Sequence, residues 1–326
     1  SSPAETLRLA AMFQQPPLRY LPPFVKFLSL FSLMLLSTQI MFFAAAYVIH
    51  QYFGVQNSEA FSGDLALQAS NPMAALVMQA IGTGLGAFLL PSLMFSVLAY
   101  GDIGKPLKLN RYPSPTQLAL TIGVIIASGI FIALLVDINK LIPLPESLAS
   151  LKDFQQKYDN LLHAFFTGVT PVRLLLLTLV LAIMPAIGEE LFFRGAVMKI
   201  FAETRLGIHG AVFFSALAFA LMHFEFYNTF AILFMGIMLG YIYVFTQSIW
   251  ASIAAHFVNN FTQVFLKYLF ATGVISTDVT TMEHLPLYQT IGAGAITALL
   301  LWLLWKNKTT ITEESLDLEP SNNSNQ

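Results

Sequence analysis

The chain has 326 residues, of which 56% are apolar and only 10% charged, with a formal net charge of −2 and no cysteine. Soluble domains carry roughly 25% charged residues, so the composition excludes a soluble globule, a nucleic-acid binder and a disordered chain as first readings. It implies a membrane protein without disulfides, thiolate metal sites or a cysteine nucleophile.

Eight apolar segments stand out in chain order, at 27–50, 72–99, 116–142, 171–201, 208–224, 228–247, 249–270 and 287–305. A membrane-spanning helix needs about 20 mostly apolar residues. The expected fold is therefore all-α, a polytopic bundle of about eight transmembrane helices filling residues 27–306. Residues 1–26 read as a cytoplasmic segment with an interfacial helix over 5–15, and residues 307–326 as a disordered cytoplasmic tail. The loop 143–170 carries Glu146, Asp153 and Asp159 and is expected to hold a short amphipathic helix. The fourth segment is long for an upright span, and Pro185 and Gly188 inside it predict a bend.

Loop charges set the orientation. With Arg194 set aside, one side collects ten Lys and Arg residues and the other five. The positive-inside rule then places both termini in the cytoplasm.

Charge inside a span is costly, about 2.5–3.5 kcal/mol per residue at a helix centre. The fourth segment nevertheless contains Glu189, Glu190 and Arg194. These groups must be paired, protonated or turned to a wet cavity. Glu190 and Arg194 are four residues apart and share a helix face, so they can neutralise one another. Glu189 points about 100° away and lacks that local partner. The spacing suggests a support pair beside a working carboxylate, against the plainer reading of one structural ion-pair network. Two further i,i+4 pairs lie in later spans, Phe219 with His223 and His256 with Asn260. Measured from the cytoplasmic ends, the depths disagree: roughly 15 Å for Glu189, 10 Å for His256 and 22 Å for His223 at 1.5 Å per residue.

Together these residues resemble the CPBP family, the CAAX prenyl protease and bacteriocin-processing intramembrane endopeptidases. The family pattern is EExxxR, FxxxH and HxxxN or HxxxD on separate helices. Here it reads Glu189-Glu190-Leu191-Phe192-Phe193-Arg194, then Phe219-Ala220-Leu221-Met222-His223, then His256-Phe257-Val258-Asn259-Asn260. The resemblance implies hydrolysis of a peptide bond in a membrane-associated protein or peptide, lipidated or not. It implies Glu189 and His223 as the groups that activate water, and His256 and Asn260 as stabilisers of the oxyanion. Glu190, Arg194 and Phe219 would support the geometry. A metal-free reaction is favoured, since the HExxH pattern is absent; the alternative is zinc held by Glu189, His223 and His256. Competing functions are a transporter, with Gly82, Gly84, Gly86, Gly236 and Gly240 serving moving helices, and a non-catalytic membrane scaffold. Close packing through small residues is the simpler reading of those glycines.

Overall fold

The computed structural model describes residues 15–55, 70–281 and 285–309. The expected interfacial helix over 5–15 and the expected tail disorder lie almost wholly outside them. Among the described residues nine principal helices form, and no strand. They are α1 (Pro23–Phe53), α2 (Pro72–Tyr100), α3 (Pro115–Lys140), α4 (Ala149–Phe166), α5 (Pro171–Ala202), α6 (Gly207–Met222), α7 (Thr229–Thr246), α8 (Ile249–Ala271) and α9 (Leu287–Lys306).

Proline opens four of these helices, because its fixed φ suits the first turn and its missing N–H is not needed there. Asn71 caps α2 by accepting from the backbone of Ala74. Ser114 and Gln117 form a reciprocal capping box at the start of α3. Thr170 accepts from the backbone of Arg173 at the start of α5. Gly54 and Gly101 close α1 and α2 in the left-handed conformation, at φ 66° and 75°.

Every one of the eight apolar segments is helical, and the structure is an all-α membrane bundle. Six of the helices, with α7 counted from its preceding turn at Phe226, are long and apolar enough to span a bilayer. This is fewer than the eight spans expected. Helix α6 has 16 residues, or about 24 Å. Helix α8 is long enough but carries Ser252, His256, Asn259, Asn260 and Gln263. The two helices that fall short are those that bring the histidines. The loop 143–170 does hold an amphipathic helix, α4.

Helix α5 lies at the centre. Residues 190–198 are buried on all sides, while large apolar side chains such as Leu36, Phe43, Ile126, Leu175 and Trp302 face outward, where lipid covers them. Helix α5 is continuous at Pro185, so the predicted bend takes another form. Residues Leu179–Ile183 and Leu191–Val197 adopt wider π turns. The first absorbs the hydrogen bond that proline cannot donate.

Small residues bring the neighbours close. A Cβ on Gly188 would lie 3.2 Å from Phe88 Cβ and 3.3 Å from the Gly84 carbonyl, so α2 and α5 cross there nearly backbone to backbone. A Cβ on Gly86 would lie 3.1 Å from backbone atoms of Ser37 and Thr38 of α1. On α7, Gly236 meets Ala216 and Gly240 meets Val212 of α6. These contacts give the glycines of α2 and α7 a packing role.

Candidate active site

Glu190 is fully buried and bound from three directions. Arg194 Nη1 donates to its Oε1 at 2.7 Å. His256 Nδ1 lies 2.8 Å from the same oxygen, and Ser252 Oγ donates to Oε2. A carboxylate accepts, so Nδ1 carries the proton in this contact. Arg194, in turn, donates through Nη2 to the Gly236 carbonyl at 3.0 Å, and its guanidinium lies 4.9 Å from the Phe219 ring centre. One ion pair therefore ties α5 to α6, α7 and α8. Such a pair tolerates burial only when its remaining donors and acceptors are also satisfied, and here they are met by serine, histidine, a carbonyl and an aromatic face.

Glu189 is treated differently. Its side chain is 13% exposed, and its Oε2 is buried with no hydrogen-bond partner among the described residues. That oxygen stands 3.8 Å from His256 Nε2, beyond direct hydrogen-bond length. His256 thus reaches both carboxylates, Glu190 through Nδ1 and Glu189 through Nε2.

Phe219 organises the histidines. Its ring lies 4.5 Å from the His223 ring and 5.8 Å from the His256 ring, edge-on to the latter. His223 ends α6, and its Nδ1 donates to the Phe219 carbonyl at 2.7 Å. In the neutral ring this leaves the Nε2 lone pair available. Helix α8 starts at Ile249 after a buried Ser248, and helix α6 stops at Met222, so His256 stands well inside its helix and His223 at the end of its own.

The structure links Glu190 directly to Arg194 and His256, sets Phe219 against Arg194, His223 and His256, and leaves Glu189 beside His256. Asn260 is one turn beyond His256 on α8, with its Oδ1 accepting from Asn259 Nδ2 at 3.0 Å. Two participants escaped the motif reading. Ser252 precedes His256 by four residues, so the stripe Ser252, His256, Asn260 was visible as one polar face. The Gly236 carbonyl is a backbone group, and no residue type announces it. Among the described residues no three His, Asp or Glu side chains are arranged to hold a metal ion.

The class is thus a helical membrane protein with a buried carboxylate–histidine centre. Residues 171–262, the segment that carries all three motifs, match the family described as Type II CAAX prenyl endopeptidase Rce1-like. Over that segment the chain is similar to this family, in agreement with the resemblance carried by the three motifs. No match was found among curated proteins or solved structures.

Proposed function

We propose that the protein is an intramembrane endopeptidase that hydrolyses a peptide bond in a membrane-associated protein or peptide with a water activated by Glu189 and His223. The observation that carries this reading is the contrast between the two glutamates. Glu190 is fully neutralised by its partners, whereas Glu189 keeps a buried, unpartnered oxygen turned toward His256 Nε2. A carboxylate in that state is available as a general base.

In the reaction, Glu189 takes a proton from water as the water oxygen attacks the carbonyl carbon. The carbonyl π electrons move to oxygen, and that oxyanion is stabilised by the Asn260 amide and by His256 in its imidazolium form, in which Nδ1–H binds Glu190 and Nε2–H is left to donate. Collapse re-forms the carbonyl, breaks the C–N bond, and passes the proton from Glu189 to the leaving amine. His223 Nε2 helps hold the water. With Nδ1 committed to Glu190, only Nε2 of His256 faces the reacting groups. No metal ion is part of this scheme, because a carboxylate and a histidine together can activate water without one. The family description makes a prenylated C-terminal tail the first substrate to try. Both termini are assigned to the cytoplasm by the distribution of Lys and Arg.

The test uses the full chain in lipid nanodiscs. Two quenched-fluorescent peptides ending in Cys, two aliphatic residues and a variable residue are offered, one farnesylated and one not. The parent cleaves at least one of them, and Glu189→Gln lowers the rate by about 10²–10⁴-fold while remaining folded. Equal cleavage by Glu189→Gln removes Glu189 as the base. A parent that cleaves neither peptide removes the reading and leaves a transporter or scaffold. Thorough chelation is expected to leave the rate unchanged; loss restored by zinc would overturn the metal-free scheme.

A further inference from the structure

Helix α6 ends on one of the two groups proposed to activate water, and the chain must turn at once to begin α7. His223 closes α6, and α7 opens at Thr229. Directly after His223, Phe224 takes φ 54°, a left-handed conformation that an aromatic residue adopts only at a cost. Its side chain is exposed, so packing of that ring does not offset the cost. Such a backbone persists where its surroundings over-determine it. Part of the support is local. The Phe224 N–H donates to the Leu221 carbonyl at 3.3 Å, and the Asn228 N–H to the Glu225 carbonyl at 3.1 Å. The Thr229 hydroxyl stands 3.0 Å from both the Glu225 and the Phe226 carbonyl.

The rest comes from α3. Asn139, one residue before the end of that helix, is 2% exposed. Its Nδ2 donates to the Phe226 carbonyl at 2.9 Å, and its Oδ1 accepts from the Phe230 N–H at 2.9 Å. This carbonyl and this N–H are four residues apart, the pair that an α-helix joins directly. Here each is bonded to the Asn139 amide, and α7 starts only at Thr229. Asparagine competes in this way with the helical ladder. Without the amide, the two groups are free to bond each other and wind α7 back toward Phe226. That extra turn would draw chain out of the short connection to His223. Neither the three motifs nor the proposed chemistry uses Asn139.

We infer that Asn139 is a positioning residue for His223, its amide holding open the turn on which α6 ends and so fixing where the imidazole stands. It acts through His223 and touches no reacting atom. The role rests on the endopeptidase reading above. It brings α3, which lies outside the segment that matches the family, into the support of the site.

The test is a double-mutant cycle on kcat, with the full chain in nanodiscs and whichever of the two peptides the parent cleaves faster. Asn139→Ala removes both bonds. We expect kcat to fall about 10- to 100-fold with KM within about twofold, the result of a small displacement of a reacting group. In His223→Ala, whose residual rate is read over long incubations, adding Asn139→Ala should change kcat by less than about twofold, since the group it positions is gone. Losses that multiply in the double variant make the role structural and overturn the inference. Should Asn139→Ala fail to fold, Asn139→Asp takes its place in the cycle, because it keeps the shape and the acceptor and loses only the donated bond. The same outcomes then decide. Parental kcat in the Asn139 variant overturns the inference while leaving the protease reading intact, provided Glu189→Gln is inactive. If the parent cleaves neither peptide, the protease reading falls and the positioning role falls with it.

Discussion

Glu189 and Glu190 are chemically identical and adjacent, and the fold uses them in opposite ways. Glu190 is a structural anion, and its removal leaves Arg194 buried without its charge partner. Glu190→Ala and Arg194→Ala are each expected to lower stability by about 3–5 kcal/mol, the usual result of stranding a buried charge. Unfolding in detergent micelles measures this, and variants that melt like the parent would remove the support role. Ser252→Ala loses one hydrogen bond to a charged group and is expected to cost about 1.5–3 kcal/mol in the same measurement. At this scale much of the site was legible. The four-residue spacings of Glu190 with Arg194 and of Phe219 with His223 announced contacts that the structure contains. The bond from His256 Nδ1 to Glu190 was not legible, because it joins residues on two helices whose packing is not written in either one. The Gly236 carbonyl left no trace for the same reason that any backbone acceptor leaves none.

Helices were read well where hydropathy and punctuation agreed. The prolines at 23, 72, 115 and 171 mark the starts of α1, α2, α3 and α5, within four residues of the limits set by apolar content. Helices α6 and α8, which apolar content also implied, are present, but the first is short and the second polar enough to stand outside the six that length and composition mark as spans. The wide turns of α5 were invisible, since they depend on how its neighbours fix its register. Glycine packing gives a test at this scale. A Cβ on Gly236 would lie 2.9 Å from Ala216 Cβ and 3.0 Å from Ala216 Cα, so the obstruction includes backbone. Gly236→Val is expected to cost about 1–3 kcal/mol through overpacking, and it would also displace the carbonyl that Arg194 uses. Gly292→Val in α9, where nothing lies within 4 Å, is expected to melt like the parent. Equal melting of the two variants would mean that close approach of α6 and α7 is not needed.

Across the whole molecule, the few charges sort into the two ends of the bundle and its centre. At one end Lys26 pairs with Glu203 at 2.7 Å, and the Tyr100 hydroxyl donates to the other Glu203 oxygen at 3.0 Å. This fastens α1, α2 and the chain after α5 together. The same end holds the loop after α2, in which Lys108 donates to Gln247 Oε1 and lies 4.7 Å from the Tyr243 ring centre. Burial, with Arg111 and Lys199 nearby, pushes the Lys108 ammonium down to about 8 from the ordinary 10.5. Between those values the unfolded chain binds more protons than the folded one, so stability should rise with pH from about 8 to about 10.5. Lys108→Met should flatten that rise in unfolding measurements across the range; an unchanged slope would assign it elsewhere. The topology has its own test, made clean by the lack of native cysteine. Thr272→Cys and Thr309→Cys flank α9, and an impermeant thiol reagent applied from outside should label only the first. Labelling of only the second would invert the orientation. Chain-wide composition made the membrane legible at once, whereas the packing of α4 against Ala75 and Leu76 of α2 and Val264 of α8 depended on distant segments.

The crossing at Gly84 and Gly188 bears on what the recognisable segment is. Glu189 immediately follows Gly188, and the surface that Gly188 rests on belongs to α2, about a hundred residues earlier and outside the matched region 171–262. A fragment cut to that region would retain each motif residue and lose the α2 surface on which Gly188 packs. The motif residues all lie inside the matched region, whereas part of the wall behind Glu189 lies outside it. Substitutions in α2 can therefore disturb the packing of the helix that carries Glu189 and Glu190 without altering any residue of the three motifs.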